Sequence, residues 1–101
     1  MKELPIVCAL PEAQLRERAG GLLARLVAAA GERRLTDDGA VLELATTPEN
    51  LEVLHQVVAA ERECCRFLRF RVTYEPDLGP ISLEITGPAG TREFLQATLG
   101  L

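Results

Sequence analysis

"RFLRFRVTYEPDLGPISLEIT", residues 66–86, alternates apolar and polar side chains on both sides of a turn. Before the turn, Leu68, Phe70, Val72 and Tyr74 fall on one face, and Phe67, Arg69, Arg71, Thr73 and Glu75 on the other. After it, Ile81, Leu83 and Ile85 share a face. A period of two is the pattern of a strand with one buried and one wet face, and "PDLGP" holds the residues that reverse a chain. The stretch therefore predicts a hairpin from an antiparallel sheet with one face covered.

Reading outward, Gly87-Pro88 breaks the second strand, and a final helix follows over about 89–99 with Phe94, Leu95 and Leu99 as its apolar residues. Upstream, "TTPENLEVLHQVVAAERECC" reads as a helix: Thr47 suits the N-cap, Pro48 the first helical position, and Glu49 the positive end of the dipole. Before that, "ERRLTDDGAVLELA" (32–45) carries a hairpin signal, with Asp38-Gly39 as the expected turn pair. "LPIVCAL" (4–10) reads as a first strand, and 11–31 as a helix that opens on Pro11 and closes on Gly31. The order β-α-β-β-α-β-β-α implies an α+β fold, a mostly antiparallel sheet with helices on one face. A ferredoxin-like β-α-β-β-α-β core with one extra strand and helix satisfies that order.

A chain of 101 residues is expected to form a single domain over 1–101. Folding at this size removes about 65% of the unfolded chain's surface, enough for a core without disulfide staples. The net charge of −4 argues against nucleic-acid binding, which needs an excess of Lys and Arg. No apolar run approaches a membrane span, and the apolar stretch near the N-terminus is too short for a signal peptide. Three cysteines, two of them adjacent, do not make an extracellular disulfide framework. The expectation is a cytoplasmic protein with reduced thiols.

The chemistry concentrates in "AERECCRFLRF" (59–69). Leu51, Leu54, Val57 and Val58 form the apolar stripe of the second helix, and the same spacing continues to Glu61, Cys64 and Cys65. A carboxylate on a core-facing stripe is expensive to bury unless something pairs with it. Adjacent helical residues point about 100° apart, so the two sulfurs meet only if the helix ends at Cys65. Soft thiolates prefer thiophilic ions over Mg(II) or Ca(II), and a vicinal pair does not match the C-x2-4-C spacing of structural zinc. Cys64 and Cys65, with Glu61 as auxiliary ligand or base, are the candidate metal ligands. Hg(II), Cu(I), As(III) and Zn(II) are the candidate ions. Cys8 shares a strand face with Ile6 and Leu10 and reads as core. His55 lies nine residues before Cys64, about 13 Å along the helix axis and half a turn around it, on a solvated face, so no Cys–His catalytic pair is visible. Enzymatic activity is left open, with a non-enzymatic role the leading expectation.

The segment "AAERECCRFLRFRVTYEPDLGPISLEITGPAGTREFL" resembles a family of small, uncharacterised bacterial domains with the pattern E-x-x-C-C-x-F-x-x-F. A strand, a Gly-Pro turn and a closing segment like "TGPAGTREF" follow that pattern. The matching positions are Glu61, Cys64, Cys65, Phe67, Phe70, Gly87, Pro88, Gly90 and Phe94. Members often carry Pro after the second cysteine, where this chain has Arg66. The association of such domains with heavy-metal and mercury-responsive genes implies soft-metal binding.

Three functions are expected to compete. The first is a small protein that binds a thiophilic metal. The second is a thiol redox protein, which lacks C-x-x-C, a nearby His and a helix N-terminus to activate a thiol. The third is a structural module with buried cysteines, for example a homodimer formed through the outer sheet face of Arg69, Arg71, Thr73, Ser82 and Glu84.

Overall fold

The computed structural model describes residues 24–100. The expected first strand, most of the first helix and Cys8 lie outside these residues. The described chain runs α1 (Ala24–Ala29), β1 (Glu32–Thr36), β2 (Gly39–Leu44), α2 (Pro48–Cys64), β3 (Arg69–Tyr74), β4 (Ile81–Thr86) and α3 (Thr91–Leu99).

The four strands form one antiparallel sheet in the order β1-β2-β4-β3. Strands β2 and β3 both run antiparallel to β4, so they are parallel to each other with β4 between them. The unit β2-α2-β3 is thus a split β-α-β crossover of the ferredoxin-like kind. The edge beside β2 is held by β1, which precedes this unit.

Alternation sorts the side chains as the sequence implies. Ala40, Leu42 and Leu44 of β2 and Ile81, Leu83 and Ile85 of β4 are buried in one core with Val53, Leu54 and Val57 of α2, Leu26 of α1, and Leu95 and Leu99 of α3. All three helices therefore cover the same face of the sheet. The opposite face carries polar pairs in register, Arg71 with Glu84 and Thr73 with Ser82. The Arg71–Glu84 contact of 3.7 Å is exposed, and such a pair adds little stability.

Helix α2 begins as expected: the Thr47 hydroxyl accepts a hydrogen bond from the Asn50 amide at 3.1 Å, with Pro48 in the first turn. Helix α3 begins differently. Its N-cap, Gly90, is left-handed (φ 97°) and offers no side-chain cap. Thr91, fully buried, instead donates its hydroxyl to the Pro88 carbonyl at 2.6 Å.

Two expectations change. The turn between β1 and β2 is Asp37-Asp38, and Gly39 is already the first residue of β2, paired with Thr36. Gly39 is required by the neighbouring strand: a Cβ there would lie 1.8 Å from the Ile85 carbonyl oxygen. Phe67 was expected on the outer face, but strand geometry starts only at Arg69, and Phe67 is buried in the preceding turn. Tyr74 sits on the helix side and meets His55 Nε2 at 3.3 Å, yet it is 56% exposed at the strand's end.

Gly39→Ala should lower unfolding stability by more than about 2 kcal/mol, because the clash is with backbone in the sheet centre. Urea denaturation checks this. A change below about 0.5 kcal/mol, the scale of an ordinary surface substitution, would mean that β2 and β4 can separate at no cost.

Candidate metal centre

The site is built by the way α2 stops. The Cys65 amide still donates to the Glu61 carbonyl at 2.7 Å, as in the last turn of a helix. The backbone then leaves helical geometry at Cys65 (φ −119°, ψ 77°). The Cys65 carbonyl accepts from the Leu68 amide at 3.1 Å, which closes a turn over Arg66 and Phe67 and launches β3. The chain reverses here with Arg66, and no proline, after the second cysteine.

That exit brings both sulfurs to the same side. Cys64 and Cys65 are not joined in a disulfide and are 2% and 1% exposed, with Cys65 Sγ 3.5 Å from Cys64 Sγ. They pack with Phe67 into a small cluster apart from the main core, flanked by Leu68 and Phe94. The Phe67 and Phe94 rings meet edge to face, with centroids 5.2 Å apart at 78°. Gly87 makes room for this corner. A Cβ there would lie 2.5 Å from Thr91 Oγ1 and 3.1 Å from the Phe67 carbonyl oxygen.

Glu61, one helical turn earlier, completes the group. Its carboxylate and the two sulfurs offer ligand atoms that all lie within 4.8 Å of one another. The carboxylate is half-buried, so the cluster has two dry donors and one nearer to water. All three residues singled out in the sequence are thus brought together. His55 is exposed on α2 and bonded to Tyr74, away from the cluster.

Arg62, Arg66 and Arg69 are exposed. Arg62 and Arg66 line a shallow depression with Ala59, Glu63 and Leu68, and neither sulfur contributes to it. The sulfurs therefore do not line that depression, and their immediate walls are aromatic.

Phe67 and Phe94 were not among the expected ligands, and as apolar groups they are not donors. They set the packing that holds the sulfurs. Gly87 and the three ligand candidates meet them at this corner, whereas Phe70 packs against the main core.

No family model, curated protein or solved structure matches this chain. The chemistry of the site is accordingly argued from its own geometry.

If the aromatic pair shields the thiols, Phe94→Ala should expose them. Losing an edge-to-face pair costs about 1 kcal/mol, so reaction of the two thiols with an aromatic disulfide reagent should speed up about fivefold or more. Stopped-flow measurement in a Cys8→Ala background isolates Cys64 and Cys65. Equal rates in both proteins would mean that the thiols open by a route independent of Phe94.

Proposed function

We propose that this protein binds a thiophilic metal ion through Cys64 and Cys65, with the Glu61 carboxylate as the adjoining donor. The observation that carries the reading is the convergence of two sulfurs and a carboxylate within 4.8 Å at the point where α2 ends. A regular helix would hold adjacent side chains about 100° apart, so the break at Cys65 is what makes a shared ligand sphere attainable.

The electrostatics are consistent with a cation. The last turn of a helix carries partial negative charge from its carbonyl groups, and a bound cation is favoured there. Thiolates alone are disfavoured at that end, so the metal and the two deprotonations belong together: each metal–sulfur bond that forms releases a thiol proton to solvent. The reading needs a reducing compartment, since a disulfide has no thiolate to offer.

The dryness of the sulfurs favours a second reading. Free cysteines often serve as small apolar residues, and here both pack against Phe67, Leu68 and Phe94. In that case they fasten the α2–β3 corner to α3 and no ion is involved.

Anaerobic titration of the reduced Cys8→Ala protein with Hg(II), read by native mass spectrometry, separates the two. Metal binding predicts an equimolar complex that survives competition with a small dithiol. It disappears in a Cys64→Ala/Cys65→Ala double variant whose far-UV circular dichroism is unchanged. Indistinguishable binding by the two proteins would leave the cysteines as packing residues.

A further inference from the structure

Resting on the metal-binding reading, we infer that the site takes a divalent ion of the Zn(II) or Cd(II) type. The ion sits in a bent two-sulfur, one-oxygen environment with Glu61 as a direct ligand, and its fourth position is left to an exogenous donor.

The sulfur separation carries the first step. With metal–sulfur bonds of about 2.3 Å, two sulfurs 3.5 Å apart subtend about 100° at the metal, near the tetrahedral value. A linear S–metal–S unit with such bonds needs about 4.6 Å between sulfurs. Reaching that spacing means pushing the sulfurs roughly 1 Å further apart within a close-packed cluster of Phe67, Leu68 and Phe94, and protein interiors resist such expansion. The bent arrangement keeps the sulfur separation of 3.5 Å.

Charge carries the second step. Two thiolates around a dication are neutral, which suits sulfurs that are 2% and 1% exposed. A monocation leaves the buried pair with a net negative charge, and the Glu61 carboxylate would deepen it. With a dication, Glu61 brings the total to −1 on the one donor that is half-buried rather than buried.

Glu61 also lies at a workable distance. At tetrahedral angles, bonds of about 2.3 Å to sulfur and 2.1 Å to oxygen place those atoms about 3.6 Å apart. The three ligand atoms lie within 4.8 Å, so the carboxylate needs to close by roughly 1 Å or less, within reach of a half-exposed side chain. Among the described residues this cluster offers three donors. A tetrahedral ion with three protein ligands keeps an open position for water or another small donor, unlike a closed structural site. The reaction is an exchange: one hydrated dication and two thiols give the complex, and two protons leave with the displaced water. No oxidant or reductant takes part.

The test uses the full reduced chain, with and without Cys8→Ala, under anaerobic conditions. Cd(II) is added while thiolate-to-metal absorption and cadmium NMR are recorded, and Zn(II) affinity is measured by competition with a chromophoric chelator. The expected result is an equimolar complex, release of about two protons per ion, and a cadmium shift in the mixed sulfur–oxygen range. Glu61→Gln should weaken binding at least about tenfold and move the cadmium shift, while Glu63→Gln, an exposed carboxylate between Glu61 and Cys64 that is not part of the cluster, should do neither. Circular dichroism and urea denaturation confirm that each variant is folded. Stoichiometric Hg(II) binding without Cd(II) or Zn(II) binding would overturn this inference and leave the metal-binding reading intact. Failure of every ion would overturn both. An unchanged affinity and cadmium shift in Glu61→Gln would remove the carboxylate from the ligand set.

Discussion

The departure of the backbone from helical geometry at Cys65 is the constraint on which this corner of the molecule depends. Helix α2 spans seventeen residues, and its stripe of Leu54 and Val57 faces the sheet until Cys64. Had the helix continued, the side chains at 64 and 65 would have stood about 100° apart around its axis. With the change to φ −119° and ψ 77°, both are buried in one cluster and their sulfurs lie 3.5 Å apart. The same change produces the Cys65–Leu68 turn, and that turn sets where β3 begins. The thiol pair and the starting point of β3 both follow from one local event.

That event is held from outside by α3. Phe67 sits inside the turn and is capped by Phe94, and Gly87 lets the end of β4 come close enough for α3 to deliver that ring. Thr91 ties the start of α3 to Pro88, which fixes the helix's starting point in the absence of a side-chain N-cap. The chain from Gly87 to Phe94 therefore acts on the cysteines at a distance in sequence. A disturbance at Gly87 or Thr91 reaches the sulfurs through the Phe67 ring.

Much of this was written in local pattern, and the exceptions have a common cause. The strand "ISLEIT" was readable because its two-residue period matches a sheet with one dry face, and α2 because Thr47, Pro48 and Glu49 each act within one turn of the helix start. Glu61, Cys64 and Cys65 were readable as one group because helical spacing alone places them on neighbouring positions. Their burial among aromatic rings was not, since it depends on Phe94, some thirty residues later. Gly39 gave the right element for an incomplete reason: its dipeptide with Asp38 signals a turn, but the residue is small because Ile85 crosses it in β4. In "PDLGP" the left-handed positions belong to Asp77 (φ 61°) and Leu78 (φ 53°), although Gly79 is beside them. A hydrogen bond from Thr46 Oγ1 to the Gly79 carbonyl, at 2.6 Å, anchors that loop from the other side of the sheet's end. Strand order, too, is set by which edges meet, and hydrophobic period carries no record of it.

The cluster differs in kind from the core beside it. The main core is made of aliphatic side chains from all three helices and the sheet, where a change in one residue is absorbed by many neighbours. The cysteine corner is a separate, smaller cluster with two sulfurs at its centre and a carboxylate at its margin. The cluster's other members, Phe67, Leu68 and Phe94, are apolar, so aliphatic residues in place of the thiols would pack against the same neighbours. What aliphatic residues would not supply is a pair of soft donor atoms 3.5 Å apart at the negative end of a helix. The presence of Glu61 on the same stripe sharpens the contrast. Its carboxylate stands at the wetter margin of the two sulfurs, where a dication would add a bond to it.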